Sequence, residues 1–579
     1  MKILRFVLGV AVAAGLVAGC GDSRQNYVSQ SSPIQNTGSF QLLFQNSALP
    51  ADVDSAQFVF KDAAGNRLGN VLELPLQQST TVSGVPLNTA TVEIDYLRNG
   101  GFALFESQSS INLSGVRAQA TAGNRIVDPT LTVAQDARTA WTTRTSPAQF
   151  LVSVTGGPGV DGPTTAPTPF KVKGVGYSPT PIGVDVKFSP HLGDYFWDGG
   201  QDIPGNGKLK DWEKVWQRDI ENIRGRFNSV RIYTMLAVHL NDNGSFPDFN
   251  SPNVRTHRKF LDAMWNNGND PVYCLIGLPI PAGIYTGTTG NQAEIQFWEE
   301  NLQRTVSQLA SHPAVMGFTL FNEQGGESRY WGGNAGDSNT YWGKIAQFSQ
   351  TASSAAPDKL VGFANFDTPA LITSADGANL LTQFGSSLDF WGVNAAQAVT
   401  LEGTLNPYRA LTTAAKPVLF TELGNPATTH TITDICSGVA PTQAGADSIT
   451  TTSDSIAKAA QALANVLPQA VSDNVVAGVF VFEYTDEWWK QEGVNGCFTP
   501  RGASRQDGGV GAAVGAKANG YDDEEGYGLY GIGLSRGRSA NDVFSPFGNE
   551  PNAANLNPDT LTPRGPMLDA VDAAFRPVR

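Results

Sequence analysis

The chain has 579 residues, of which 41% are hydrophobic and 16% charged, and its formal net charge at pH 7 is -14. This length exceeds the roughly 250–300 residues at which one hydrophobic core stops growing, so at least two folded units are expected, and the composition excludes a disordered chain. The negative charge argues against nucleic acid and anionic membrane surfaces as partners, and a neutral ligand is easier to accommodate.

The first twenty residues have the pattern of an export signal. Lys2 and Arg5 precede an apolar run over residues 6–18, which is too short to span a bilayer permanently. The run ends in LVAGC, which resembles a bacterial lipobox, so we predict a lipoprotein signal peptide over residues 1–20 and a lipid anchor on Cys20. Gly21 carries no inner-membrane retention signal, which favours the outer membrane. An ordinary signal peptide with a chance cysteine is the alternative.

Three segments separate this signal from the largest domain. Residues 21–36 are polar and predict a flexible tether. Residues 37–155 carry short apolar runs between Gly, Asn and Pro turns, which predicts a small all-β, immunoglobulin-like sandwich. This sandwich either acts as a spacer or binds carbohydrate, and no cluster of aromatic residues supports binding. Residues 156–169 contain four Pro and four Gly and predict a semi-rigid linker.

Residues 170–579 alternate β-branched apolar runs with longer amphipathic stretches, a pattern typical of βα units and a parallel sheet. Helices are predicted between the strands, for example over residues 210–227 and 295–310. The predicted fold class is therefore α/β, a (β/α)8 TIM barrel preceded by a small all-β sandwich. Its eight strands are expected at residues 171–177, 229–233, 272–278, 315–321, 360–366, 390–393, 418–421 and 475–482.

Two glutamates directly follow predicted barrel strands. Glu323 comes after Asn322 at the end of strand four, and Glu422 follows strand seven. Active sites of such barrels lie at the C-terminal ends of the strands. Retaining glycoside hydrolysis needs two carboxylates about 5–5.5 Å apart, one to protonate the leaving oxygen and one to attack the anomeric carbon. The two glutamates are therefore the candidate catalytic pair, and a structural ion-pair role is the alternative.

This arrangement resembles clan A of the retaining glycoside hydrolases, in which an Asn-Glu pair ends strand four and the nucleophilic Glu ends strand seven. Residues 173–179 (KGVGYSP) are similar to strand one of fungal-type β-1,3-glucanosyltransferases, and residues 230–233 (VRIY) are similar to their strand-two arginine segment. Residues 480–490 and 522–529 resemble strand eight and its loop in bacterial relatives with family 2-type barrels. The resemblance covers residues 170–535 and leaves out the sandwich.

The resemblance implies a role for each matching residue. Glu323 is expected to be the acid/base and Glu422 the nucleophile, with Arg231 keeping Glu422 ionised. Asn322 is expected to bond the sugar 2-hydroxyl, and Asn394 of strand six is expected at the substrate. Aromatic faces for sugar stacking are expected from Tyr177, Trp488 and Trp489, with Trp488 as the floor of the cleaved-sugar subsite; both tryptophans could instead cap the barrel.

Two features of this region stay open. Clan members commonly carry a Tyr after the strand-six Asn, where it contacts the nucleophile, but Ala395 and Ala396 follow Asn394 here. That contact is either missing or supplied by another loop. After strand eight, the acids Glu483, Asp486 and Glu487 are either substrate-binding groups or solvated loop charges.

The remaining cysteines and acids give no metal prediction. Cys274 lies in an apolar run and is expected to be a buried thiol, whereas Cys436 and Cys497 lie in polar stretches and are candidates for a disulfide. The chain has five scattered His residues, so no metal site is expected. The acidic run at residues 522–525 lacks the spacing of a known calcium loop, and a solvated turn is favoured over a calcium site.

The sequence as a whole predicts an exported, lipid-anchored, monomeric enzyme that acts on a β-linked glucan by double displacement, with β-1,3 as the favoured linkage. Its partner would be a polysaccharide or oligosaccharide, and two carboxylates need no cofactor. Hydrolysis and transglycosylation share the catalytic residues, so both remain open. The alternative is a non-catalytic lipoprotein that binds polysaccharide, which is motivated by the alanines after Asn394.

Overall fold

The structure is a computed structural model that describes most of the chain beyond residue 36. The described residues are 37–47, 49, 53–65, 68, 71–97, 103–111, 113, 125–133, 137–156, 164–180, 192–198, 213–241, 244–247, 255–287, 290–323, 335–366, 385–396, 398–410, 415–429, 450–487, 526–533 and 559–576. Cys20, Cys436, Cys497, Trp488, Trp489 and the acidic run at 522–525 lie outside them. Within the described residues, no helix combines the length and the apolar character needed to cross a membrane.

Residues 37–133 form two facing sheets. Their strand orders are β4-β1-β7 and β3-β2-β5-β6-β8. Apolar side chains from both sheets, among them Phe40, Phe58 and Ile94, are fully buried in one shared cluster. This segment has the sandwich architecture expected from its alternating pattern. Its strands are β1 (Thr37–Leu43), β2 (Ser55–Lys61), β3 (Leu72–Pro75), β4 (Ser79–Pro86), β5 (Thr91–Leu97), β6 (Ala103–Ser110), β7 (Arg125–Val127) and β8 (Thr132–Val133).

A third sheet consists of β9 (Ala137–Thr145), β10 (Ala148–Gly156) and β11 (Thr168–Phe170), with β10 in the centre. The predicted linker over residues 156–169 is thus partly wrong, because its last two residues pair with β10. Pro169 is compatible with this pairing because β11 is an edge strand, where a residue without an N–H group is tolerated.

The next eight long strands close into a parallel barrel in chain order. All eight were expected from the sequence, and their residues are almost entirely buried. The chain runs through β12 (Val172–Tyr177), β13 (Ser229–Ile232), β14 (Tyr273–Gly277), β15 (Val315–Asn322), β16 (Leu360–Phe366), β17 (Phe390–Ala396) and β18 (Val418–Gly424), then a short pair, β19 (Thr428–Thr429) and β20 (Thr450–Thr451), and finally the eighth barrel strand, β21 (Val476–Val481).

Helices alternate with these strands, and their ends follow capping chemistry. Asn291 caps α4 by accepting hydrogen bonds from the N–H groups of Ala293 and Glu294, and Thr452 with Ser455 forms a capping box at α7. The observed α1 and α4 correspond to the two helices predicted above. The helices are α1 (Glu213–Arg226), α2 (Arg258–Trp265), α3 (Ala282–Thr286), α4 (Gln292–Leu309), α5 (Ala335–Ala355), α6 (Glu402–Arg409), α7 (Ser453–Ser472) and α8 (Gly565–Phe575), and a hairpin of β22 (Tyr530–Gly533) and β23 (Thr560–Pro563) precedes α8.

The sheet of β9 to β11 packs on the barrel and not on the sandwich. Trp141 packs edge-on against Tyr273, the first residue of β14, with ring centroids 4.8 Å apart. The backbone N–H of Trp141 donates to the carbonyl of Asp358 just before β16. Phe150 packs against Phe390 at the start of β17. Because these contacts lie at strand starts, the sheet closes the N-terminal end of the barrel. The boundary predicted at residue 155 therefore differs from the packing, which changes between β8 and β9.

Candidate active site

Glu422 lies at the tip of β18, and a bulge sets its direction. Val393 pairs with Phe420, but the next residue of β17, Asn394, pairs with Glu422, so Thr421 is an extra residue on β18. Bulges of this kind redirect the side chains that follow them. Arg231 Nη1 donates to Glu422 Oε1 over 2.7 Å, and the Glu422 side chain is 11% exposed. The predicted contact between Arg231 and Glu422 is confirmed.

Glu323 follows β15, which also carries an irregularity close to its end. Thr319 pairs with Gly362, and Asn322 pairs with Ala364, so one residue of β15 is again extra. Glu323 itself has φ of 55°, in the left-handed region that costs a non-glycine residue of order 1 kcal/mol or more. Its N–H donates to the carbonyl of Ala364 over 2.8 Å. Such backbone strain is found where the direction of a side chain matters for function.

A chain of hydrogen bonds joins the two glutamates. Asn394 Nδ2 donates to Glu323 Oε1 over 3.0 Å and to Asn322 Oδ1 over 2.9 Å. Arg231 Nη2 donates to the same Asn322 oxygen over 2.7 Å, and its Nη1 reaches Glu422. The structure thus brings together five predicted site residues: Glu323, Asn394, Asn322, Arg231 and Glu422.

The same contacts change the role expected for Asn394. Its Nδ2 donates twice, while its Oδ1 accepts from Thr421 Oγ1 over 2.7 Å and from Arg231 Nη1 over 3.5 Å. An amide side chain has no further hydrogen-bonding capacity. Asn394 therefore positions Asn322 and Glu323, which differs from the direct contact with substrate that the resemblance implies. Asn322 differs, because its Nδ2 has no partner among the described residues and remains a donor for a ligand.

Tyr233 is the site residue that sequence reasoning missed. Its hydroxyl donates to Glu422 Oε1 over 2.9 Å, and the Arg231 guanidinium lies 4.5 Å from its ring centre. Burial raises the pKa of Tyr233 well above its ordinary value, and the charge of Glu422 adds to this effect, so the hydroxyl keeps its proton. The contact absent after Asn394 is supplied from the second barrel strand. The sequence did carry a signal for Tyr233: side chains alternate between the two faces of a strand, so residues 231 and 233 share a face.

The first barrel strand leaves room for this tyrosine. A Cβ on Gly176 would lie 3.1 Å from the Tyr233 hydroxyl, so a larger residue there would press on it. Tyr177, by contrast, points away from the site. It is fully buried, and its hydroxyl donates to Asp219 of α1 over 2.8 Å. The expectation that Tyr177 stacks on a sugar is wrong, because neighbouring residues of a strand face opposite sides of the barrel wall.

The acids after strand eight are buried, so the solvated alternative is wrong for all three. Asp486 forms a two-bond ion pair with Arg564, with both N–O distances 2.7 Å, and this pair ties the loop to the start of α8. Glu483 and Glu487 lie close enough to Tyr233 for their charges to raise its pKa further. A substrate-binding role therefore remains a prediction for these two.

One group of described residues has a composition suited to a metal ion. Asp194, His239 and His257 are buried, and their ligand atoms lie within 4.8 Å of one another. The group lies outside the hydrogen-bond chain of the two glutamates.

Cys274 is fully buried, as expected, and burial raises the pKa of its thiol.

Comparison with known proteins finds distant structural similarity and no sequence match. No protein-family model and no curated protein sequence matches the chain. Similar solved structures include the GH2 β-galacturonidase from Eisenbergiella tayi bound to galacturonate (13% identity, 91% of this chain and 67% of that chain, TM-score 0.39) and Ruminococcus gnavus β-glucuronidase (12% identity, 83% and 61%, TM-score 0.36). The Bacteroides uniformis β-glucuronidase is 10% identical over 75% of this chain and 42% of that chain, with TM-score 0.36. This chain thus spans less than half of the Bacteroides uniformis protein, and the fold assignment rests on the closed barrel itself.

Proposed function

We propose that the protein is a retaining glycosidase in which Glu422 is the nucleophile and Glu323 the acid/base. The observation that carries this proposal is the pair of carboxylates at the tips of strands four and seven, joined through Asn394, Asn322 and Arg231. A retaining enzyme needs one carboxylate that stays ionised and a second that exchanges a proton with the leaving group. Arg231 Nη1 and the Tyr233 hydroxyl both donate to Glu422 Oε1 and hold this oxygen in place.

The reaction follows in two steps. In the first, a Glu422 oxygen attacks the anomeric carbon, the glycosidic C–O bond breaks, and Glu323 gives its proton to the leaving oxygen. In the second, water or another sugar hydroxyl attacks the same carbon, Glu323 takes up its proton, and Glu422 leaves as a carboxylate. In this proposal Asn322 Nδ2 donates to the sugar 2-hydroxyl, where such bonds strengthen in the transition state.

The substrate we propose is a neutral β-linked glucan, with β-1,3 linkage suggested by the resemblance of residues 173–179 and 230–233. The charge of Arg231 lowers the pKa of Tyr233 and the charges of Glu422, Glu483 and Glu487 raise it, so carboxylates outnumber cations among these four groups. An anionic sugar would be repelled by this excess of negative charge, whereas a neutral sugar would not. The galacturonate in the Eisenbergiella tayi structure is therefore not the substrate class we propose for this chain.

The non-catalytic alternative loses its motivation. It rested on the alanines after Asn394, but Tyr233 supplies the contact to Glu422 from another strand.

Anchoring at the cell envelope stays part of the proposal and depends on the LVAGC sequence alone. Radiolabelled palmitate should enter the full-length protein in a bacterial host and should not enter Cys20→Ser; equal labelling of both would refute the anchor.

The substrate test incubates residues 37–579, and the variants Glu422→Ala and Glu323→Ala, with reduced β-glucan oligosaccharides of defined linkage, and reads the products by mass. Wild type should cleave or elongate one linkage, and both variants should lose at least 1,000-fold in kcat, an order expected for removal of a catalytic group. Glu402→Ala is the matched control, because its side chain is 62% exposed on α6. Full activity in Glu422→Ala would refute the assignment of the nucleophile.

A further inference from the structure

A buried polar cluster lies between the loops that follow the first two barrel strands. Asp194 Oδ2 accepts from His257 Nε2 over 2.8 Å, from His239 Nε2 over 3.0 Å and from the backbone N–H of Leu236 over 3.0 Å. Asp194 Oδ1 accepts from the N–H of Phe196 over 3.1 Å. The side chains of Asp194 and His257 are fully buried, and His239 is 4% exposed. A carboxylate in such a place is costly unless it is this fully hydrogen-bonded.

The cluster fixes a stretch of irregular backbone. Residues 234–239 follow β13 and are buried outside the named strands, so most of their backbone groups need partners other than a strand ladder. Leu236 N–H donates to Asp194, Ala237 N–H to Thr305 Oγ1 over 2.9 Å, and Val238 N–H to Asn301 Oδ1 over 3.0 Å. Side chains from a distant loop and from α4 thus take the place of a neighbouring strand.

This stretch begins directly after Tyr233, the residue that donates to the nucleophile. The Tyr233 hydroxyl can keep its 2.9 Å bond to Glu422 only if the backbone after it stays in place. We infer that Asp194, together with His239 and His257, is a positioning group that holds the strand-two loop and thereby directs Tyr233 onto Glu422. This inference rests on the proposed function, because it assigns the cluster a part in the same reaction.

A resident metal ion is the competing explanation for two histidines and one aspartate. The N–O distances of 2.8 and 3.0 Å are hydrogen-bond lengths, and Leu236 N–H occupies the same Asp194 oxygen that a metal would take. Ligating histidines also donate their second nitrogen to an acceptor, yet His257 Nδ1 is buried with no hydrogen-bond partner in the described part of the chain. These observations favour a hydrogen-bonded cluster.

The test is a double-mutant cycle of Asp194→Asn and Tyr233→Phe in residues 37–579, with kcat and KM measured on the substrate found above. Each single variant should lower kcat by about 10- to 100-fold with little change in KM, as expected for a lost hydrogen bond to a charged group. If Asp194 acts through Tyr233, the double variant should be no slower than Tyr233→Phe alone. Multiplicative losses in the double variant would overturn the inference.

Three further measurements separate this inference from general destabilisation, from failure of the proposed function and from a metal site. Lys359→Met is the control, because Lys359 is buried at the opposite end of the barrel, where it donates to the Thr139 and Val315 carbonyls. Its effect should multiply with that of Tyr233→Phe. Amide hydrogen exchange of residues 234–239 should be faster in Asp194→Asn even if no glycan is cleaved, and unchanged exchange would overturn the inference. So would stoichiometric zinc in the purified protein, measured by elemental mass spectrometry.

Discussion

The Tyr233 hydroxyl makes a contact to Glu422 that the motifs of the sequence do not predict. The sequence pointed to Arg231 through its resemblance to a strand-two segment, and β alternation places residue 233 on the same face. The resemblance places the expected tyrosine after Asn394, where the chain has two alanines. A hydroxyl from a different strand makes the contact, and spacing within one strand does not reveal contacts across a barrel.

Removal of the Tyr233 hydroxyl should slow catalysis without unfolding the protein. Tyr233→Phe should lower kcat by about 10- to 100-fold, since a hydrogen bond to a charged group is worth about 1.5–3 kcal/mol. Steady-state kinetics with the cleaved glucan measure this. Tyr177→Phe is the matched control, because Tyr177 loses a buried bond to Asp219 outside the site. It should lower the free energy of unfolding by about 1.5–3 kcal/mol and keep kcat near wild type. The reverse pattern would contradict both placements.

At the scale of elements, the eight barrel strands were predictable because each is a short apolar run with turn residues on both sides. The bulges near the ends of β15 and β18 were not, because an extra residue in one strand depends on how its neighbours pair. The same limit applied to Tyr177, which resembled a site residue by motif but faces α1. Sequence thus located the candidate carboxylates, while tertiary pairing determined which of their neighbours face them.

The loop cluster around Asp194 should make stability depend on pH. Burial lowers the pKa of His239 from its ordinary value of 6.5 to about 4, despite the hydrogen bond to Asp194. The unfolded chain therefore binds a proton at this residue between these two pH values while the folded protein does not, so the free energy of unfolding falls as pH falls from about 6.5 towards 4. Urea unfolding at several pH values measures this slope.

His239→Gln supplies the comparison for that slope. The variant has no titrating group at this position, so its stability should change less between pH 6.5 and 4.5 than that of wild type. Carboxylates elsewhere titrate equally in both proteins and cancel in the difference. Identical slopes in the two proteins would mean that His239 does not remain neutral in the folded state.

At the scale of the whole molecule, the sheet of β9 to β11 combines residues that the sequence assigns to the sandwich, the linker and the barrel. Because its composition and strand pattern match the sandwich, the sequence predicts that residues 137–155 belong to that domain. Its buried side chains, Trp141 and Phe150 among them, belong to the barrel cluster. Which neighbouring core covers an amphipathic strand depends on chain geometry that composition does not encode. The sandwich meets the barrel through polar contacts that include Arg258 of α2 and Asp95, 3.0 Å apart.

This boundary predicts how the chain tolerates truncation. A chain that starts at residue 134 keeps the sheet and should unfold cooperatively near the temperature of the barrel in the full protein. A chain that starts at residue 171 loses Trp141, and loss of one such buried aromatic alone costs about 3–5 kcal/mol. It should melt at a lower temperature or aggregate. Calorimetry compares the two, and equal melting temperatures would show that the sheet belongs to the sandwich.

The proposed double displacement requires a covalent bond between Glu422 and the sugar. The most direct measurement incubates the protein with an activated 2-deoxy-2-fluoro-β-glucosyl donor, which slows release of the intermediate, and locates the added mass by peptide mapping. A single adduct on Glu422 that is absent from Glu422→Ala is expected. An adduct on another carboxylate would contradict the assignment of the nucleophile, and turnover of the cognate glucan with inversion at the anomeric carbon would contradict the mechanism.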